Sequence, residues 1–402
     1  MASSFFSYIS TVNNRKWILA AIVVSQFFCT SLWFAGNAVI KELIIQFHLS
    51  DNAIGHLTSA VQFGFITGTL CYAILTIADR FSPSVVFFVS ALVGAICNLG
   101  IIIEGQSLTS LLLLRFLTGF FLAGVYPVGM KIASDHYDKG LGKALGFLVG
   151  ALVIGTALPH LLRSITQAMP WKFVLILTSA LCFVGGLIML VVVPNGPYRK
   201  ISEKPDMKMI FKVFRNKKFR SASFGYFGHM WELYTFWAFV PVILSTWQNI
   251  HPAYTLNIAA LSFLIIAVGG LACVFAGYVS QKNGAGKVAA WALLSSGICC
   301  LVSPIIFFIS SQFLLVLFLV FWGMAVIADS PLFSTLVAQN APVQSRGTAL
   351  TIVTCIGFSI TIISIQLLNL LFQSIDPRYI YLLLAAGPLL GLIALQRGKN
   401  DQ

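Results

Sequence analysis

Of the 402 residues, 58% are hydrophobic and 9% charged, while the formal net charge is +13. A chain this apolar leaves no room for a water-soluble domain. Its basic excess calls for no nucleic acid, because the positive residues fall on alternate connections between apolar stretches.

Residues 1–14 are polar apart from Phe5 and Phe6, and the first apolar stretch opens at Trp17 after Arg15 and Lys16, with no convincing cleavage site. That reads as an uncleaved start. Twelve segments are long enough to cross a bilayer, at about 20 residues each. In chain order they are 17–40, 53–76, 85–104, 109–134, 143–163, 171–193, 221–248, 256–279, 287–309, 313–338, 348–372 and 378–396. With both termini in the cytoplasm, 20 of the 25 Lys and Arg lie on the cytoplasmic side. Lys41, Arg163, Lys172 and Arg378 lie opposite, and Arg115 lies inside a segment. Basic residues are retained on the cytoplasmic side during insertion, so this is the expected orientation, in the cytoplasmic membrane. The fold class is an all-α polytopic membrane protein. Eight cysteines all fall inside segments, and no Cys/His spacing resembles a metal site; no metal or cofactor is expected.

The longest connection, 194–220, carries nine basic residues against two acidic ones, and Pro194, Pro197 and Pro205 break helices there. Within it, 207–214 mixes apolar and basic residues as an interfacial helix would. This basic cytoplasmic linker divides the chain into a six-segment bundle at 1–193 and another at 221–402. The halves echo one another. Segment four runs from Gly119 to Pro127 and segment ten from Gly323 to Pro331, with the same spacing. Gly142-Lys-Ala-Leu145 and Gly347-Thr-Ala-Leu350 then open the next segments. Asp79-Arg80 after segment two matches Gln281-Lys282 after segment eight. A duplicated six-helix unit is expected, and two like bundles can move a solute by rocking around a central site.

Several of these residues carry a family resemblance. Ala78-Asp79-Arg80 stands where the major facilitator superfamily has its loop motif between the second and third spans, with Leu75 and Ser82 in place of the two glycines and Pro83-Ser84 in place of the basic pair. Arg115 followed by Gly119 resembles the family's fourth-span motif. Gly146, Gly150 and Gly155 resemble its fifth-span exporter motif, with Ala151 where that motif has proline. The chain therefore resembles a bacterial member of this superfamily over nearly its whole length. Gly228-His-Met-Trp-Glu-Leu-Tyr234 and Ala328-Asp-Ser-Pro-Leu-Phe333 resemble a group loosely associated with inorganic-anion carriers. Nitrate carriers place an arginine in the second and eighth spans, and neither segment has one here. The resemblance implies a monomeric carrier in two pseudo-symmetric six-helix bundles. It also implies a coupling role for Arg115 and a cytoplasmic gate at Asp79 and Arg80; the plain alternative for the gate pair is a solvated charge run.

Ionisable side chains inside the bilayer cost roughly 2.5–3.5 kcal/mol on insertion scales, so each one kept is a candidate site. Glu232 lies mid-way along segment seven with His229 one turn earlier on the same face. It is read as a proton carrier or as a carboxyl pinning segment seven to a neighbour. Asp329, two residues before Pro331, is a second proton site or a structural hydrogen-bonding group. Arg115 needs a counter-charge, carbonyls or a bound anion; a coupling or anion-binding role stands beside a static ion pair with Glu104. His160 reads as packing. Polar and aromatic residues suited to a substrate cavity are Trp33, Asn37, Gln62, Tyr126, Trp231 and Tyr234, with Gln26, Thr354 and Gln366 as further candidates. The resemblance favours those on segments one, four, seven and ten.

No phosphate loop suggests ATP drive, and no nucleophile or metal pattern suggests an enzyme. The expected function is secondary active transport of a small solute by alternating access, coupled to protons. The resemblance implies a metabolite or organic anion as the solute, which includes carboxylate-type metal chelators. The alternative is proton-driven efflux of drugs or toxic compounds. The expected partners are the solute, protons and the lipid bilayer.

Overall fold

The computed structural model describes residues 17–50, 52–137, 141–199, 213–342 and 346–400, and every regular element among them is helical. Ten of these helices are long and apolar enough to cross a membrane. They are Ala53–Ile74, Pro83–Gly100, Leu108–His136, Ala144–Ile165, Lys172–Val192, Ile258–Asn283, Ala285–Ile306, Gln312–Asn340, Arg346–Leu371 and Ile380–Arg397. They occupy segments two to six and eight to twelve. The chain is a multi-pass helical membrane protein.

Segments one and seven fall outside those ten for different physical reasons. Segment one is helical over Trp17–Thr30, turns through 31–34, and resumes as Ala35–Ala38 and Ile40–Gln46. At the turn, Thr30 Oγ1 donates to the Gln26 carbonyl (2.9 Å) and Ser31 Oγ to the Phe28 carbonyl (2.6 Å). Such hydroxyls compete with the backbone ladder and loosen a helix. Segment seven is one unbroken helix, Lys217–Ile250, opened by Asn216, whose side chain caps Lys218 and Phe219. Its 34 residues would reach about 51 Å at about 1.5 Å each. It is less apolar because it carries His229 and Glu232 on a buried face. The expected interfacial stretch at 207–214 lies almost wholly outside the described residues, as do 1–16.

The repeated Gly-to-Pro spacing has a repeated structural consequence. Segment four breaks between Leu122 and Tyr126, and segment ten breaks at Asp329, each with its proline in the first turn of the new helix. Upstream, a Cβ on Gly119 would lie 2.0 Å from the Val61 carbonyl oxygen of segment two. A Cβ on Gly323 would lie 2.2 Å from the Ile265 carbonyl oxygen of segment eight. The two glycines let corresponding helix pairs touch backbone to backbone, the close approach that small residues give in lipid.

Residues below 194 meet residues above 220 in several places, two of them between long helices. Segment five crosses segment eight where Gly270 meets Ile154 and approaches Gly150. Segment two runs along segment eleven. There Gln366 Nε2 donates to the Gly55 carbonyl (3.0 Å) and Ser59 Oγ (2.8 Å), and Asn369 Nδ2 to the Asn52 carbonyl (3.1 Å). Asn257 Nδ2 donates to Ser164 Oγ at 3.1 Å. These polar ties sit together at the end expected to face outward. At the opposite end, a Cβ on Gly146, Gly277 or Gly347 would meet nothing within 4 Å.

Candidate functional site

The two buried acidic residues of the second half, Glu232 and Asp329, are held in different ways. Glu232 is fully buried, and its carboxylate accepts three bonds from its own half. Trp322 Nε1 (2.6 Å) and Cys300 Sγ (3.2 Å) donate to Oε1, and Ser296 Oγ (2.8 Å) donates to Oε2. Segments seven, nine and ten are thereby tied at one point. His229, one turn earlier, turns to segment ten instead: its Nδ1 lies 2.7 Å from Asp329 Oδ1, with both side chains 1% exposed. The ring sits between Tyr226 and Phe333, and its Nε2 is buried without a hydrogen-bond partner. The break in segment ten presents Asp329 to this histidine. Gly225 and Gly228 serve helix packing, since a Cβ on them would strike the Phe333 ring at 2.4 Å and the Gly387 carbonyl at 2.3 Å.

Arg115 does not pair with Glu104, which instead meets Lys172 Nζ at 3.5 Å. Its guanidinium donates to the Leu32 carbonyl at 3.1 Å and to the Trp33 carbonyl at 2.5 Å. The static pair with Glu104 is therefore replaced by a backbone contact. The turn in segment one exposes carbonyls, and the forked donors of an arginine suit two adjacent ones. Arg115 thus fixes the backbone that carries the Trp33 ring.

That ring enters an aromatic cluster on the seam between the halves. Trp33 stacks on Tyr234 and Phe358, with centroids 5.7 Å away in both cases, and meets Phe65 at 4.8 Å. Phe358 also touches Phe65 (4.7 Å) and Tyr234 (5.1 Å). Trp237, one turn after Tyr234, packs edge-on against Tyr234 at 5.3 Å and Phe34 at 6.4 Å. Gln62 belongs to the same seam. It lies on the face of segment two defined by Ser59 and Ile66, both of which contact segment eleven. The Gln62 amide and the indole nitrogens of Trp33 and Trp237 are buried without hydrogen-bond partners. Most buried polar groups in proteins are paired, and an unpaired one costs about 1–3 kcal/mol.

Most of the other expected cavity residues are placed elsewhere. Asn37 Nδ2 donates to Thr58 Oγ1 at 2.7 Å, inside the first half. Trp231 Nε1 donates to the Leu383 carbonyl at 3.2 Å, so this ring faces segment twelve. Tyr126, by contrast, stays on the seam: half-buried at the restart of segment four, it lies close to Cys273, Tyr226 and Tyr234 of the second half. Gln26 packs against Gly129 within the first half, and Gln366 belongs to the outward ties. His160 is buried near the end of segment five.

Asp79 meets Lys131 Nζ at 3.0 Å, and Lys131 also reaches Asp135 at 3.3 Å, all within the first half. The start of the linker folds over the same turn: Arg199 Nη2 donates to the Asp79 and Phe81 carbonyls, each at 2.8 Å. Arg80 is exposed. Lys131, Arg199, Ser296, Cys300 and Trp322 were not singled out from sequence. Each is an ordinary residue for its position and acquires a role only through a partner on another segment.

The profile of the Major Facilitator Superfamily matches residues 22–365. The chain belongs to the Major Facilitator Superfamily. Its members are transporters, so this member is not an enzyme. Curated relatives match less than half of it. The efflux pump FUBT of Fusarium oxysporum is 28% identical over 191 residues, 46% of this chain and 31% of that protein. The MFS-type transporter acdC of Aspergillus candidus is 26% identical over 188 residues, 45% of this chain and 36% of that protein. Among solved structures, a bacterial homologue of the human lysosomal transporter Spinster, inward-facing and unoccupied, superposes with a TM-score of 0.71 at 16% identity. That match covers 97% of this chain and 98% of the other. A mutant of the nucleoside transporter NupG gives 0.73 at 14% identity, covering 95% and 99%. These two likenesses establish the fold.

Proposed function

We propose that this protein is a monomeric secondary active transporter that moves a small solute across the cytoplasmic membrane by alternating access between two six-helix halves. Segments one and seven complete twelve crossings in this reading, and both termini face the cytoplasm. The observation that carries it is the seam. Polar ties between the halves gather at the outward end, a buried aromatic cluster lies beyond them, and the glycines at the inward end face open space. This is the arrangement of a carrier closed outside and open inside, like the inward-facing Spinster homologue.

Proton coupling falls best on the His229–Asp329 pair. The two groups meet at a helix break in segment ten, an element that can have two arrangements. Glu232, with three donors from its own half, serves to hold segments seven, nine and ten as one body. In the outward-open state, Asp79 would leave Lys131 and meet the second half, with Arg80 beside it, as a cytoplasmic gate. The likeness to efflux pumps over part of the chain supports export as the second reading of direction.

Reconstitution into vesicles tests the proposal. Preloaded solute should exchange with labelled external solute, and an imposed pH gradient should drive accumulation whose direction reports import or export. Absence of exchange for every solute that binds the purified protein would reject the carrier reading.

A further inference from the structure

The seam's chemistry narrows the solute. Three charged side chains lie in the middle of the segments among the described residues, and each is already engaged away from it. Arg115 is held on the carbonyls of Leu32 and Trp33. Glu232 faces Ser296, Cys300 and Trp322 inside the second half. Asp329 and His229 face one another. Beside the Tyr126, Tyr226 and Tyr234 hydroxyls, the seam offers ring faces from Trp33, Phe65, Tyr234 and Phe358, together with the unpartnered Gln62 amide and the indole N–H groups of Trp33 and Trp237.

An amide presents two donors and an acceptor, and an indole presents one donor. Aromatic faces stack on any flat ring. A formal charge entering such a seam would lose its hydration with no counter-charge to replace it. We infer that the seam binds an uncharged planar solute carrying a hydrogen-bond donor and acceptor on one edge, its ring stacked on Trp33 and Tyr234 and its edge read by Gln62. This rests on the carrier reading and departs from the organic anion expected from sequence. The orphaned polar atoms have a purpose in it: they are unpaired while the halves close on one another and paired when a solute separates the rings.

The test uses purified full-length protein in detergent and probes that share a ring but differ in charge: nicotinamide with nicotinate, benzamide with benzoate, and adenine and uracil as further neutral rings. Saturable binding is read by calorimetry and by quenching of indole fluorescence. At least one neutral probe should bind, at least tenfold more tightly than its anionic counterpart where there is one. Gln62→Ala should weaken that binding tenfold or more. Gln62→Met keeps the size and removes both donors, and it should do the same if the alanine variant is poorly folded. Trp33→Phe, which keeps a ring and loses the N–H, should cost severalfold. An anion binding more tightly than its amide, no saturable binding by any neutral probe, or binding indifferent to both Gln62 variants would overturn the inference. Counterflow of whichever probe binds separates the two levels: an exchanged anion rejects the solute class and keeps the carrier, whereas a bound probe that is not exchanged counts against the carrier.

Discussion

At the residue scale, the two buried carboxylates divide the work by the partners they face. Hydrogen bonds to a charged group contribute about 1.5–3 kcal/mol each. Replacing Glu232 by leucine leaves the Trp322 and Cys300 donors unpaired, while Ser296 keeps the Leu293 carbonyl (3.1 Å), and is expected to cost roughly 3 kcal/mol or more, read as a large fall in melting temperature. Glu232→Gln retains an acceptor for Trp322, and the Ser296 hydroxyl can rotate to accept from the new amide. It should therefore lower stability modestly and keep gradient-driven accumulation. Loss of accumulation in a Glu232→Gln protein of normal melting temperature would move proton coupling back to Glu232. Asp329→Asn removes the charge facing His229 with little change of shape. Exchange of preloaded solute should persist in it, while accumulation driven by a pH gradient disappears. Accumulation retained at wild-type level would remove Asp329 from the coupling mechanism.

Elements are positioned here by what small residues permit. Without a hydrophobic drive between helices in lipid, close backbone approach supplies much of the packing. Gly119 and Gly323 provide it at equivalent places, where an added Cβ would overlap a carbonyl of the neighbouring segment. Gly119→Ala and Gly323→Ala should each force the paired helices apart and reduce the yield of folded protein in size-exclusion chromatography. Gly146→Ala and Gly347→Ala, which meet open space, should leave it unchanged. The breaks in segments four and ten follow the same logic of position, since each proline fits the first turn of a new helix where its missing N–H is not needed. The turn in segment one differs: it persists because Arg115 reaches across to its carbonyls.

For the whole molecule, the proposed cycle requires the outward ties to part. Ser164 and Asn257 hydrogen-bond directly across the two halves there. A Ser164→Cys/Asn257→Cys protein joined through disulfides by a short bis-methanethiosulfonate cross-linker should lose transport, keep solute binding from the cytoplasmic side, and recover transport when reductant opens the disulfides. Full transport by the cross-linked form would show that this end does not open. The Asp79–Lys131 pair and the Arg199 strap lie at the other end and within one half, so the link should leave them undisturbed.

Hydropathy was enough to place the ten segments that form long apolar helices, because insertion into a bilayer acts on local composition. The superfamily was legible as well, through motif residues such as Asp79, Arg115 and Gly119. The repeat was visible as the matched Gly-to-Pro spacings, since a helix break is encoded by the residues at the break. The candidate site was legible only as a set of residue types. Glu232, His229 and Asp329 stood out because the bilayer rejects unneeded charge, but their pairing was hidden. A helix position three residues from Glu232 selected His229 as its neighbour, whereas the nearest counterpart of His229 came from segment ten, a hundred residues away in the chain. Arg115 found carbonyls rather than Glu104 for the same reason: a backbone turn leaves no mark that sequence spacing can match to a distant arginine. Trp33, Gln62 and Tyr234 met at the seam while Asn37 and Trp231 turned to partners in their own halves. Which face of a helix meets which neighbour is set by packing between elements, and that was decided by the tertiary structure alone.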